Sequence, residues 1–117
     1  MNTAGVMIRP FAGALVVAAL LGGATASIAA DLQAGAAKAK EICQACHGMD
    51  GNSTVPDYPK LGGQRPDYLA KALRDYKSGA RKNAIMAGFA GTLSAADIEN
   101  VAAYYSSQPP VLYVKGH

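Results

Sequence analysis

Apolar residues recur at helical spacing in three segments of this chain, and turn residues fill the stretches between them. The clearest segment lies between Pro66 and Gly79, which stand at the expected start and end of a helix. A first helix is predicted from about Leu32 to Cys46, and a last one begins at Ser94 and stops before Pro109. The apolar stripes are Leu32, Ala36, Ala39 and Ile42, then Leu69, Ala72, Leu73 and Tyr76, then Ile98, Val101, Ala102 and Tyr105. The chain is therefore predicted to be all-α, with three main helices.

Two stretches between these helices are predicted to be irregular. Gly48 to Gly63 is rich in glycine, proline and short polar residues, and no helical or strand period survives there. The stretch from Gly79 to Leu93 is also predicted to be a loop, because it holds Gly88 and Gly91. No segment shows the sustained alternation of a β-strand.

The first 30 residues have the three-part form of a secretory signal peptide. A short segment with one charge, Arg9, precedes an apolar run that begins at Phe11, and small residues then lead to Ala30. Cleavage before Asp31 would leave residues 31–117 as one small domain. The alternative is a retained membrane anchor, because the uncharged stretch from Phe11 to Ala30 approaches the ~20 residues that span a bilayer.

The charge of the chain is modest but unevenly spread. Without Arg9 the net charge is about +2, which is too small to indicate nucleic-acid binding. Between Lys60 and Lys82, seven basic residues face only two acids, and this excess could attract an acidic partner protein. The alternative is an ordinary solvated helix face, because Lys71 stands at i,i+4 spacing from both Asp67 and Asp75.

The most specific chemical signal is the stretch Cys43-Gln44-Ala45-Cys46-His47. A CxxC pair followed at once by histidine is the attachment signature of a c-type haem, because two thiols at this spacing bond the vinyl groups and the histidine lies beneath the iron. A thioredoxin-like dithiol is less favoured, because the motif ends a helical stretch instead of standing in a βαβ unit. A zinc site is disfavoured too, because the only other histidine is His117. A disulfide between the two cysteines remains formally possible in an oxidising compartment.

The second axial ligand of such an iron decides between electron transfer and ligand or oxygen chemistry. Met49 is two residues past His47, a reach of ~7 Å, so it cannot pass around the macrocycle to the opposite face. Met86 has ample chain to do so and is the predicted ligand, which favours ferrous iron and one-electron transfer. The alternative is that Met86 is a core side chain and that the position is open or held by His117. No cluster of catalytic side chains indicates an enzyme.

Four blocks of sequence, in this order, resemble the class I c-type cytochromes, and in particular a single-haem unit of the c4/c553 type. The blocks are Cys43 to Ser53, Tyr58 to Gln64, Lys82 to Gly88, and Leu93 to Tyr105. The resemblance implies the class I cytochrome c fold, with helices and loops wrapped around one covalent haem c. It implies thioether attachment at Cys43 and Cys46, a proximal ligand His47, a distal ligand Met86, a Pro59 carbonyl that orients His47, and a contact of Gly35 with Tyr104 where the first and last helices cross.

The resemblance also implies a function: an exported, periplasmic protein that carries single electrons between redox partner proteins and meets membranes only through membrane-bound complexes. The alternative is a cytochrome c subunit that relays electrons within a periplasmic dehydrogenase or oxidase, and a third reading is a gas-binding or peroxide-active haem protein. The sequence departs from the family in two ways. Typical c4 chains carry two haem units in tandem, so no transfer between haems of one chain is expected here. Many relatives have a second methionine where this chain has Phe89.

Overall fold

The computed structural model describes Gly5 and residues 29–111, so His117 and almost all of the signal-like segment lie outside the described residues. Every regular element within residues 29–111 is helical, which confirms the all-α prediction. The elements are α1 (Leu32–Lys38), a π-helical turn (Ala39–Cys43), α2 (Gln44–His47), α3 (Pro66–Ser78), α4 (Ala84–Gly91) and α5 (Ala95–Ser106). No helix among the described residues has the length and apolar character needed to cross a membrane.

The predicted first helix is present from Leu32 to His47, but it consists of three segments. It begins at Asp31, whose side chain accepts hydrogen bonds from the backbone N–H groups of Gln33 and Ala34. The π-helical turn has wider i→i+5 hydrogen bonding, and it ends at Cys43, the first cysteine of the CxxC pair. Such turns often occur at functional sites, because they change the direction in which the following side chains point.

The predicted ends of the other two main helices are confirmed. Pro66 occupies the first turn of α3, and Gly79 ends that helix with a left-handed φ of 82°. Ser94 caps α5 and forms a reciprocal capping box with Asp97, in which each side chain bonds the backbone N–H of the other residue.

The predicted loop from Gly79 to Leu93 is wrong, because Ala84–Gly91 forms the helix α4. The Asn83 side chain accepts from the Met86 backbone N–H at 3.0 Å and so begins this helix. Almost every residue of α4 is apolar or small, so the segment has no amphipathic period that a sequence pattern could reveal. Its glycines each cost ~1 kcal/mol relative to alanine, which packing against α3 can offset.

The core lies where α5 packs against α1 and α3. Its buried members are Ala39, Leu69, Ala70, Leu93, Ile98, Val101, Ala102 and Tyr105. The predicted contact of Gly35 with Tyr104 is confirmed, because a Cβ atom at Gly35 would lie 2.9 Å from the Tyr104 Cβ and 2.7 Å from the Asn100 carbonyl carbon. The two helices therefore approach more closely than any residue with a side chain would allow.

The stretch between α2 and α3 is irregular, as predicted, and it is held by backbone hydrogen bonds. The Gly51 carbonyl accepts from the N–H groups of Leu61 at 2.6 Å and Gly62 at 3.1 Å. The Asn52 side chain donates to the Pro109 carbonyl at 2.8 Å, and this bond ties the loop to the segment after α5. These hydrogen bonds therefore fix the backbone of the loop that follows the CxxCH motif.

Candidate functional site

One side of the helical core opens into a cavity of about 520 Å³. This volume lies within the ~300–1,000 Å³ that small-molecule and cofactor sites commonly have. The four predicted site residues, Cys43, Cys46, His47 and Met86, all line it. The structure thus brings to one cavity residues that lie up to 43 positions apart in the sequence.

The two cysteines are half-buried, and they do not form a disulfide with each other. Burial raises the pKa of the Cys43 thiol to about 11, although nearby Lys38 acts in the opposite direction. A thiol with this pKa is almost fully protonated at neutral pH, whereas catalytic CxxC dithiols have a lowered pKa. Together with the lack of any strand in residues 29–111, this disfavours the thioredoxin-like reading.

His47 is buried at the end of α2, and a hydrogen bond fixes the orientation of its ring. Its Nδ1 lies 2.8 Å from the carbonyl oxygen of Pro59, as the resemblance implied. Because a carbonyl can only accept, Nδ1 carries the hydrogen and donates it. The lone pair of the neutral ring is then on Nε2, where it is available to a metal, and the hydrogen bond makes that nitrogen a better donor.

Met86 lies in the first turn of α4, where its half-buried side chain lines the same cavity as His47. Met49 does not line the cavity. The Met49 backbone carbonyl accepts a hydrogen bond from the Tyr104 hydroxyl at 2.8 Å, so its chain segment is held against α5.

Two tyrosines of α5 have a role that the sequence reading missed. The hydroxyl of Tyr105 donates to the Gly48 carbonyl at 2.9 Å, next to the bond from Tyr104 to Met49. Burial raises the pKa of Tyr105 well above its ordinary value, so it remains a donor at any physiological pH. The sequence signal was the pair of adjacent tyrosines itself, because a buried tyrosine normally bonds its hydroxyl to a nearby acceptor.

The rim of the cavity also includes a residue that the sequence reading assigned only to the basic segment. Arg81 lines the cavity together with Tyr68 and Tyr76 of α3. Its guanidinium carbon lies 4.9 Å from the centre of the Tyr76 ring. Nothing in the helical pattern indicated that Arg81 faces the cavity.

The cavity has the chemistry that a c-type haem requires. It offers two thiols at CxxC spacing, an imidazole with a lone pair on Nε2, and a thioether from a separate helix. Two large apolar side chains of α4 line it while they remain exposed, Ile85 at 64% and Phe89 at 41%, which suits a flat apolar macrocycle. Among the described residues, no group of three or more His, Cys, Asp and Glu side chains could hold a bare metal ion.

The chain matches known cytochromes over most of its described length. Residues 30–104 match the protein family described as "Cytochrome C oxidase, cbb3-type, subunit III". Cytochrome c4 from Thiocapsa roseopersicina is 49% identical over 79 residues, which cover 68% of this chain and 41% of the relative. Cytochrome c-554(548) from Halomonas halodenitrificans is 48% identical over 69 residues, which cover 56% of this chain and 83% of the relative.

The solved structures agree with these relatives. The crystal structure of reduced recombinant cytochrome c4 from Pseudomonas stutzeri aligns with a TM-score of 0.64 and 46% identity, over 69% of this chain and 47% of that chain. The chain thus spans less than half the length of the cytochrome c4 relatives that it matches. The predicted family, fold and cofactor are confirmed. The chain belongs to the class I c-type cytochromes of the c4 family, whose cofactor is covalently bound haem c.

Proposed function

We propose that this protein is a periplasmic single-electron carrier, with haem c attached at Cys43 and Cys46 and its iron ligated by His47 and Met86. The observation that carries the proposal is the convergence of these four side chains on one cavity. The haem iron supplies one-electron redox chemistry, and a thioether ligand favours its ferrous state.

The residues around the two proposed ligands restrict their movement. The Pro59 carbonyl holds the His47 ring in one orientation. The Asn83 cap fixes the first turn of α4, and with it the backbone of Met86. Fixed ligands keep one coordination geometry in both oxidation states, and this lowers the reorganisation that accompanies each electron transfer.

The rest of the cavity supports a carrier in preference to an enzyme. Asp57 is the one carboxylate among the described residues that line the cavity, and it comes from an exposed position of the loop. General acid-base catalysis needs a proton donor or acceptor positioned against a substrate, most often in a pair or a relay. Asp57 has no second carboxylate beside it among the described lining residues, and His47, the histidine of the lining, is the proposed iron ligand.

The proposed partners are redox proteins with an acidic docking face. A relative named "Thiosulfate dehydrogenase electron acceptor" from Thiomonas intermedia is 46% identical over 69 residues, which supports electron transfer from a dehydrogenase. The basic segment from Lys60 to Lys82 would attract such a partner through its excess of positive charge.

The ion pairs within this protein leave the cations of the basic segment accessible to a partner. Its ion pairs are Arg65 with Asp67, Lys71 with Asp75 and Arg74 with Glu99. Asp67 pairs with Arg65 and not with Lys71, so only one of the two i,i+4 pairs suggested by the sequence forms. Exposed pairs of this kind contribute only ~0–1 kcal/mol, so a partner carboxylate can exchange with them.

A cytochrome subunit bound within a larger complex is the second candidate function. It is favoured by the matched family, which is described as a subunit of an oxidase. Size-exclusion chromatography of material from the native source distinguishes the two. A free carrier elutes at the size of this chain, whereas a subunit elutes with a larger flavin- or metal-containing protein.

The proposed ligation is tested by replacing each of two methionines. Met86→Ala should lower the reduction potential, open the site to carbon monoxide and abolish the weak near-infrared sulfur-to-iron charge-transfer band of the oxidised protein. Met49→Leu is the matched control and should change none of these, because Met49 lies outside the cavity lining. A band that persists in Met86→Ala, or a high-spin iron in the native protein, would overturn the ligation and favour gas binding.

The proposed export and attachment have direct mass-based tests. The intact mass of protein from the periplasmic fraction should correspond to residues 31–117 plus one haem. Recovery of the uncleaved chain in the membrane fraction would instead indicate an anchor. A pigment that acid-acetone extracts, or that survives the double substitution Cys43→Ala and Cys46→Ala, would contradict covalent attachment at these residues.

A further inference from the structure

Arg81 is held at the cavity rim by two aromatic side chains of one helix face. Its guanidinium lies over the Tyr76 ring at 4.9 Å, a distance at which cation–π attraction is appreciable. Its Nη1 also donates to the Tyr68 hydroxyl at 3.5 Å. The Arg81 backbone N–H donates to the Asp75 carbonyl at 3.0 Å, which fixes the turn that follows α3. These contacts restrict the side chain without neutralising its charge.

The other cations of the basic segment are engaged differently. Arg65, Lys71 and Arg74 pair with carboxylates, and Lys77 donates to the Leu93 carbonyl. Lys60 also lines the cavity, but its amino group donates to the Ser53 carbonyl at 2.6 Å. Among the described residues, Arg81 has no carboxylate partner although it faces the cavity. Most of its five N–H donors are therefore available to an anion there.

We propose that Arg81 is a positioning residue of the haem site that binds a carboxylate of the cofactor and raises its reduction potential. The inference rests on the proposed function, which places a haem with its two propionate groups in this cavity. A guanidinium matches a carboxylate with two parallel N–H···O bonds, a geometry that a lysine cannot reproduce. A cation held near the iron disfavours the extra positive charge of the ferric state, so the ferrous state becomes easier to reach.

The test compares Arg81→Gln with Lys82→Gln in the haem-loaded protein. The two variants lose the same charge at adjacent positions, but the exposed Lys82 does not line the cavity. Arg81→Gln should lower the reduction potential clearly more than Lys82→Gln does. Arg81→Lys should give an intermediate value, because it keeps the charge and loses the two-bond geometry.

A second measurement identifies the carboxylate itself. When a carboxylate near the iron titrates, the reduction potential falls with pH, and a bound cation keeps that titration at low pH. The titratable groups that act directly on Arg81 are Tyr68, Asp75 and Tyr76. The other titratable groups that line the cavity are Cys43, Cys46, His47, Asp57, Tyr58, Lys60 and Tyr105. A fall of the potential with pH that moves to higher pH in Arg81→Gln, and stays in place in Lys82→Gln, is the result expected for a haem carboxylate held by Arg81.

The outcomes separate this inference from the function on which it rests. If Arg81→Gln keeps covalent haem and the charge-transfer band but neither its potential nor its pH profile moves, the role of Arg81 is refuted and the carrier function stands. Equal shifts in Arg81→Gln and Lys82→Gln also refute it, because they show a general effect of surface charge. If the native protein holds no covalent haem, the carrier function and the role of Arg81 both fail.

Discussion

Replacement of Gly35 by alanine should be among the most damaging single substitutions outside the haem site. The new Cβ would lie 2.7 Å from the Asn100 carbonyl carbon and 2.9 Å from the Tyr104 Cβ, so backbone atoms would have to move. Overpacking of this kind costs ~1–3 kcal/mol, and contact with backbone places it at the upper end. The better helix propensity of alanine returns ~1 kcal/mol, which leaves a net loss of ~2 kcal/mol. For a domain of this size, that corresponds to a fall of about 8–16 °C in Tm.

The matched control is Gly88→Ala, which places the same methyl group in another helix. Gly88 is exposed on α4, and a Cβ there would have no neighbour within 4 Å. We expect this variant to be stabilised by up to ~1 kcal/mol. Thermal unfolding of the oxidised, haem-loaded proteins, monitored by far-UV circular dichroism, gives the comparison. Equal Tm values for the two variants would show that α1 and α5 do not rely on close contact at Gly35.

Three further predictions concern hydrogen bonds and charge. Tyr105→Phe should lower the free energy of unfolding in denaturant by ~1 kcal/mol, through the lost bond to Gly48. Because burial raises the pKa of Tyr105, the stability of the native protein should fall as pH rises above about 10. The Tyr105→Phe variant should not show this fall. Ser94→Ala should lower the free energy of unfolding by ~1 kcal/mol in the same assay. Because hydrogen bonds from Ser94 lower the pKa of Asp97, the stability of the native protein should fall as pH drops below about 4. The Ser94→Ala variant should show a smaller fall. The rate of electron transfer to an acidic partner should decrease as salt shortens the Debye length, which is ~10 Å at 0.1 M; stopped-flow measurements should show a weaker salt dependence for Lys71→Glu than for a Lys40→Glu control.

The helix ends could be predicted because each depends on a short local signal. Pro66 and Gly79 bracket α3, and Ser94 begins α5 through a bond to a residue only three positions away. The helix α4 has a local start signal in Asn83, but it has no amphipathic period to support that signal. Its residues are apolar on every side, and its glycines resemble loop residues unless the contact with α3 is known. The π-helical turn Ala39–Cys43 also has no signature in the helical pattern of the sequence.

Part of the candidate site could likewise be predicted from local sequence, and part depends on long-range contacts. The CxxCH motif is contiguous, and Met86 follows from the length of chain needed to reach a second face of a cofactor. The sequence assigned Tyr105 and Arg81 to other patterns and did not indicate that they contribute to this site. Tyr105 counted as an apolar helix residue and Arg81 as one of seven cations, because the bond to Gly48 and the position at the rim depend on the packing of distant segments.

The last helix links the stability of the fold to the geometry of the haem site. One face of α5 contacts α1 at Gly35, and the hydroxyls of Tyr104 and Tyr105 bond the two carbonyls that directly follow His47. A shift of α5 would therefore move the backbone next to His47 as well as open the core. Pro59 restrains the ring of the same histidine, so His47 and the backbone that follows it are held by contacts from the loop and from α5. We propose that α5 positions His47, the proposed iron ligand, as well as completing the core, so substitutions at the α1–α5 crossing should alter the haem spectrum along with the Tm.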